Sequence, residues 1–150
     1  VPTYSRQIYL AIEAIEGAVA KERDALALEI VDQLVQRPPV GTPVATGWAR
    51  SNWIPTLNRP ARGIAMRGKA GATPADVSRA GMRQQTAIAE LLSRGATQPK
   101  APAYVSNHVI YIGRLADGWS KQNAAGWVER CVEAAVRIRG QAQSYTPIRF

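Results

Sequence analysis

Apolar positions along the chain fall into three helical stripes and two short extended runs, separated by stretches rich in Pro and Gly. Ile8, Ile12, Ile15 and Val19 recur at intervals of three and four, and Leu26, Ile30 and Leu34 carry the stripe onward, which predicts a helix over residues 5–36. Ser5 stands where an N-cap belongs, and acids and bases interleave on the other face from Glu13 to Glu29. Pro38-Pro39 stops the helix, because a proline ring can neither donate to the ladder nor leave its predecessor helical. Unbroken, the helix is roughly 45 Å long at 1.5 Å per residue. Gly17 is its weakest point, at about 1 kcal/mol relative to alanine. That length exceeds what a 150-residue globule easily covers. The pattern therefore fits either a helix packing on a neighbouring subunit or a kinked helix pair on one core.

Thr42 to Trp53 reads as a shaped loop entering a strand: Pro43 biases Thr42 toward extended geometry, and Gly47 is free to take positive φ. Ser51–Leu57 is the strand, and Pro55 within it calls for an edge position or an early end. Residues 58–74 show no periodicity and read as a loop. A second helix starts at Thr73-Pro74, with Thr73 as N-cap, Val77, Met82, Ile88, Leu91 and Leu92 as its apolar face, and Gly95 as its end. A second strand, Ala103–Asn107, is expected to pair antiparallel with the Trp53 strand. Val109–Ala116 forms a short helix closed by Gly118. The last helix, Ala124–Arg139, is capped by Asn123 and ended by Gly140; Trp127, Cys131, Ala134 and Ile138 lie on one side of it. Residues 141–150 read as an arm that docks on a neighbour. The fold class is α+β in one domain: a long N-terminal helix, a small antiparallel sheet, and two further helices, the C-terminal one packed on the sheet.

Charge adds to this outline. The formal net charge is +8, unevenly distributed. Residues 1–36 carry three basic and six acidic side chains, net −3; residues 37–100 carry ten and two, net +8; residues 101–150 carry six and three, net +3. Arg59, Arg62, Arg67 and Lys69 follow one another without an acid, which suits either an anionic partner or a solvated loop. Trp48 and Trp53, with Arg50 between them, suit core or subunit contacts, or base stacking on a nucleic acid. No stretch is apolar enough to span a bilayer, and the N-terminal order is not that of a signal peptide, so the expectation is assembly in a cytoplasm without membrane contact.

Candidate chemistry is sparse. The one cysteine, Cys131, excludes an internal disulfide and reads as a small buried hydrophobe. The one histidine, His108, has no nearby carboxylate in sequence to orient it, and no nucleophile motif accompanies it. Neither a spaced metal-ligand set nor a phosphate-binding glycine loop occurs, so no cofactor is expected and the chain does not read as an enzyme. A pI near 10.3 meets the first criterion for a nucleic-acid binder. No reading motif such as a helix-turn-helix accompanies it, so any contact would be sequence-independent and salt-sensitive.

Two segments carry a resemblance. Thr42-Pro43-Val44-Ala45-Thr46-Gly47-Trp48-Ala49-Arg50-Ser51-Asn52-Trp53 resembles the "TPVDTG-x-x-R-x-NW" segment of the tail-completion and neck proteins of tailed bacteriophages, the HK97 gp10-like group that includes lambda Z-like proteins. Tyr104-Val105-Ser106-Asn107, Tyr111, Leu115, Gly118-Trp119-Ser120-Lys121-Gln122, Ala125-Gly126 and Val128 are similar to a second segment of that group, in the same order. Together they span about a quarter of the chain. Ala45 stands where the group usually has Asp, and Ala116-Asp117 where it often has Glu. The resemblance implies an α+β structural protein of the virion, a head–tail connector that completes the tail or neck as a homo-oligomeric ring of six. Its implied partners are copies of itself, other tail, stopper or portal-side neck proteins, and packaged DNA. The residues it marks for assembly are Thr42, Pro43, Thr46, Gly47, Asn52, Trp53, Asn107, Tyr111, Gly118, Trp119, Ser120, Lys121 and Gln122. Trp119 and Lys121 are the sharpest candidates for a subunit contact, since a bulky Trp in a polar run beside a glycine stop has no evident intrachain role.

Overall fold

The computed structural model describes residues 3–62 and 73–143. A single uninterrupted helix, α1 (Thr3–Val35), passes through Gly17, where an added Cβ would meet only open space. The helix is already formed at Thr3, so Ser5 is not its cap. Beyond α1 come a 3-10 turn (Arg50–Asn52), β1 (Ile54–Leu57), α2 (Pro74–Gly95), β2 (Ala103–Ser106), the short α3 (Ile112–Ala116) and α4 (Trp127–Gln143). The strands pair antiparallel, with Ile54 opposite Ser106 and Leu57 opposite Ala103. This is the expected α+β arrangement.

The sheet is covered by α2 and by the second half of α1, while α4 lies along α1 and reaches the sheet side through Trp127. Leu34, Trp53, Trp127 and Cys131 form the main core, in which the two indoles meet edge to face at 6.3 Å. Trp48, Ala49, Ala80 and Val109 form a second cluster, joined to the first through Ile112 and Leu115. Both Trp48 and Trp53 are therefore core residues, which removes base stacking from their roles. Cys131 is buried, its thiol donates to the Val40 carbonyl at 3.2 Å, and burial pushes its pKa up.

Thr73 caps α2 as predicted, accepting the Asp76 amide at 3.2 Å and donating to the Asp76 carboxylate at 2.6 Å. The buried face of α2 differs from the hydropathy reading. Ala80, Gln84, Ala87, Leu91 and Gly95 face inward, whereas Met82 and Leu92 are exposed. Close approach to the sheet selects small side chains, and Gln84 is buried because its amide donates to the carbonyls of Trp53 and Arg50 at 3.0 and 3.3 Å.

At its C-terminal end α2 meets Arg23 of α1. The guanidinium donates to the carbonyls of Gln98 and Ala101, both at 2.7 Å, and of Gly95 at 3.1 Å, adding to the turn bonds that the Gly95 and Gln98 carbonyls accept from the Gln98 and Ala101 amides. Asp24 pairs with Arg23 and lies so close to Gly95 that an added Cβ would fall 1.7 Å from its carboxylate. On the other side, Arg139 of α4 grips Glu22 through two bonds of 2.9 Å.

The last helix begins at Trp127 and runs through Gly140 to Gln143. Asn123 does not cap it. Its side chain is turned into the fold, donating to the Gly41 carbonyl at 2.8 Å and accepting from Arg130. Gly140 sits in an exposed part of the helix, where its cost is only about 1 kcal/mol and does not end the ladder. Along the same helix Ile138 is 40% exposed, whereas Ala135 is fully buried. The proposed arm thus starts as helix over residues 141–143, and residues 144–150 lie outside the described residues.

A candidate assembly surface

The two motif segments, separated in the chain by residues 54–103, are brought together in space. They line one shallow pocket of about 140 Å³, whose walls are Pro43 to Ala49 on one side and Tyr111, Leu115, Ser120 and Gln122 on the other. Several of the marked residues act as fasteners here. Thr42, fully buried, donates its hydroxyl proton to the Leu34 carbonyl at 2.7 Å and accepts the Trp53 indole N–H at 2.8 Å. Asn52 donates to the Trp48 carbonyl at 2.7 Å. Asn107 donates to the Ala49 carbonyl at 2.8 Å and accepts the Val109 amide at 3.1 Å, tying the end of β2 to the first segment. Gln122 mimics a strand partner, accepting the Val44 amide at 2.7 Å and donating to the Val44 carbonyl at 2.8 Å.

The turns are those the glycines suggest. Gly47 and Gly118 take φ of 91° and 82°, and a Cβ on Gly118 would lie 2.6 Å from the Ala125 amide nitrogen. Pro43 is buried, and the exposed Thr46 accepts the Trp48 amide at 3.3 Å. Ser120 accepts the Gln122 amide at 3.1 Å. Tyr111 is half-exposed at the pocket's edge, and burial of its ring raises the phenol's pKa.

Trp119 and Lys121 point outward. Trp119 is 72% exposed, and the Arg114 guanidinium lies over its ring at 5.1 Å from the centroid. The Arg114 contact spans a glycine turn, so no helical or strand period announces it. The part played by Val44 is also invisible to a residue pattern, since it acts through its backbone amide and carbonyl, and Asn123 binds the Gly41 carbonyl instead of capping a helix. His108 is an exposed loop residue after β2.

The first half of α1 is a separate exposed apolar surface. From residue 7 onward, Ala20 is the first buried position, and Ile8, Tyr9, Leu10, Ile12, Ile15 and Val19 are all 47% exposed or more. Arg59 and Arg62 are exposed beside a larger groove at the end of β1, which Arg94 of α2 also lines. Arg67 and Lys69 lie outside the described residues. Among the described residues no three His, Cys, Asp or Glu side chains are grouped to hold a metal ion, and no helix is long and apolar enough to cross a membrane. Comparison with family models, curated proteins and solved structures returns no match.

Proposed function

We propose that the protein is a structural component of a tailed-phage virion, a tail-completion or neck protein that forms a ring, of six copies, at the head–tail junction. The observation that carries it is the convergence of the two motif segments on one pocket, as a single two-part motif would require. The exposed apolar half of α1 and the outward-facing Trp119 add to the case, since a lone chain gains nothing by leaving such side chains in water. Function then lies in shape: copies meet through ring-closing contacts, and the ring joins the tail to the DNA-filled head through neighbouring stopper or portal-side proteins. Its working place is the virion, after assembly in the host cytoplasm.

The test is purification of assembled particles and a low-resolution map of their neck. The chain is expected to co-purify with tails or portal-bearing particles and to occupy a ring of density at the junction. Particles that assemble fully without it sink the proposal.

A second reading, a basic protein that binds nucleic acid without sequence preference, draws on the net charge of +8 and on the exposed Arg59 and Arg62. It calls for duplex binding whose log affinity falls steeply with log salt. Absence of binding at low salt removes it.

A further inference from the structure

One apolar stripe runs the length of α1 and is covered over only half of it. Leu26 and Ile30 repeat Ile15 and Val19 eleven residues on, three turns further along the same helical face. In that second half α4 lies against α1: Ile30 packs on the core of Leu34, Trp53, Trp127 and Cys131, and Arg139 holds Glu22. Trp127 meets α1 at Leu34 and Arg139 meets it at Glu22, so α4 runs antiparallel to α1, toward its N-terminus. Gln143, where α4 ends, is one turn past Arg139, about 6 Å further on and so beside about residue 18. From that point onward lie Val19, Ile15, Ile12 and Ile8, all exposed. The cover stops where α4 stops.

The sequence continues from Gln143 with Ser144-Tyr145-Thr146-Pro147-Ile148-Arg149-Phe150, three large apolar side chains with a single charge. A proline cannot extend the α4 ladder and disfavours helical geometry at the residue before it. Seven extended residues reach about 23 Å. The stripe from about residue 18 to Ile8 is about 15 Å long. We infer that residues 144–150 run on along the first half of α1 in the same chain and cover the Ile8–Ile12–Ile15–Val19 stripe. Tyr145 then lies by Ile15 and Ile148 between Ile12 and Ile8, while the alternation of an extended segment turns Arg149 away from the stripe. Place and reach choose this occupant: α4 delivers the segment to the uncovered end of the stripe, and its length suffices without crossing to a neighbour. Tyr9 and Leu10, which lie off the stripe, and Trp119 remain for the contacts proposed above, and the inference does not rest on those contacts.

The test uses the full chain. Amide hydrogen exchange over residues 8–19 is expected to be slowed by the cover, and Ile148→Asp is expected to speed it at least about tenfold. Residues 26–34 should exchange as in the wild type, which controls for folding, and Ile148→Leu should keep the wild-type rates throughout. A chain carrying both Ile12→Cys and Ile148→Cys is expected, on mild oxidation, to close a disulfide within itself at a rate independent of protein concentration. Pairing Ile148→Cys with Ile110→Cys, at a position 99% exposed and off the stripe, is expected to give none. Buried Cys131 stays out of both reactions. Equal exchange in the wild type and Ile148→Asp, or an Ile12–Ile148 pair that closes no faster than the control, overturns the inference. So does a disulfide formed only between chains, which makes a second copy the occupant. The ring proposal is decided separately, by the map of the particle neck, whichever way these measurements fall.

Discussion

Thr42→Val isolates one hydroxyl while nearly preserving shape. In the wild type this fully buried oxygen accepts the Trp53 indole N–H at 2.8 Å and donates to the Leu34 carbonyl at 2.7 Å. The Leu34 carbonyl keeps a partner after the change, because the Thr42 amide also donates to it, at 2.9 Å. The Trp53 N–H loses its acceptor inside the core. An unsatisfied buried donor costs about 1–3 kcal/mol. The extra methyl returns up to about 0.8 kcal/mol of transfer free energy. The net loss is therefore about 1–2 kcal/mol, or a fall of about 2–8 °C in thermal midpoint for a chain of this size. The assay is denaturant unfolding followed by Trp fluorescence, with a double-mutant cycle against Trp53→Phe. Whatever Trp53→Phe costs by itself, it removes the N–H, so Thr42→Val in that background should lose at least about 1 kcal/mol less than in the wild type. Additive losses, or a Thr42→Val chain as stable as the wild type, would refute the account of Thr42 as a buried latch.

Trp119→Ala should leave the monomer within about 0.5–1 kcal/mol of wild-type stability, since only an exposed cation–π contact with Arg114 is lost, while incorporation into particles falls; a large fall in midpoint would instead make Trp119 structural. Arg23→Met should destabilise by about 3–5 kcal/mol, because it leaves Asp24, 7% exposed, without its ion pair and removes the guanidinium's bonds to three carbonyls after α2, of which Gly95 and Gln98 keep a backbone donor. Adding Asp24→Asn should recover part of that loss in urea unfolding. The Asp76 carboxyl is held below its ordinary pKa by the Thr73 hydroxyl first and by Arg79 second. A carboxylate depressed on folding contributes fully above its unfolded value of about 3.9 and loses that contribution as pH falls through the lower folded value. The first turn of α2 should accordingly fray in acid, and Asp76→Asn should flatten that response in amide chemical shifts recorded against pH.

Where an element depends on local chemistry, the residues disclose it. Thr73-Pro74 followed by Asp76 specifies a helix start by side-chain reach alone, and the structure has it at that place. The two extended runs, one containing Pro55 and one following Pro102, are too few to pair with anything but each other, and they do pair. What stayed hidden involves groups brought together from distant parts of the chain. Arg23 looks like one more charge on a solvated helix face until the end of α2 arrives beside it. Asn123 has the side chain of a cap, but its Oδ1, the acceptor a cap would use, is taken by Arg130, while its amide donates to the carbonyls of the Val40–Gly41 turn. Gln84 reads as polar surface because hydropathy cannot register the carbonyls of Arg50 and Trp53, to which its amide donates. The apolar stripe of α1 was legible as a stripe. That half of it is left exposed by the described residues is a tertiary fact, decided by where the other helices end.

The motif residues divide by what they have left to offer. A polar side chain whose donors and acceptors are already engaged inside the chain gains little from a partner, since a new contact would first have to break an existing one. Thr42, Asn107 and Gln122 are in that position, each with both kinds of bond made to backbone or indole groups. They set the curvature of the Pro43–Trp48 loop and hold it against the turn after α3. Trp119 and Lys121 stand on the turn so fixed and are exposed. The resemblance is thus carried mainly by a scaffold, and under the proposed assembly role specificity for a partner would come from the side chains which that scaffold turns outward. It follows that two chains sharing the fasteners and differing at Trp119, at Lys121 or along residues 7–20 would keep one fold and assemble with different neighbours.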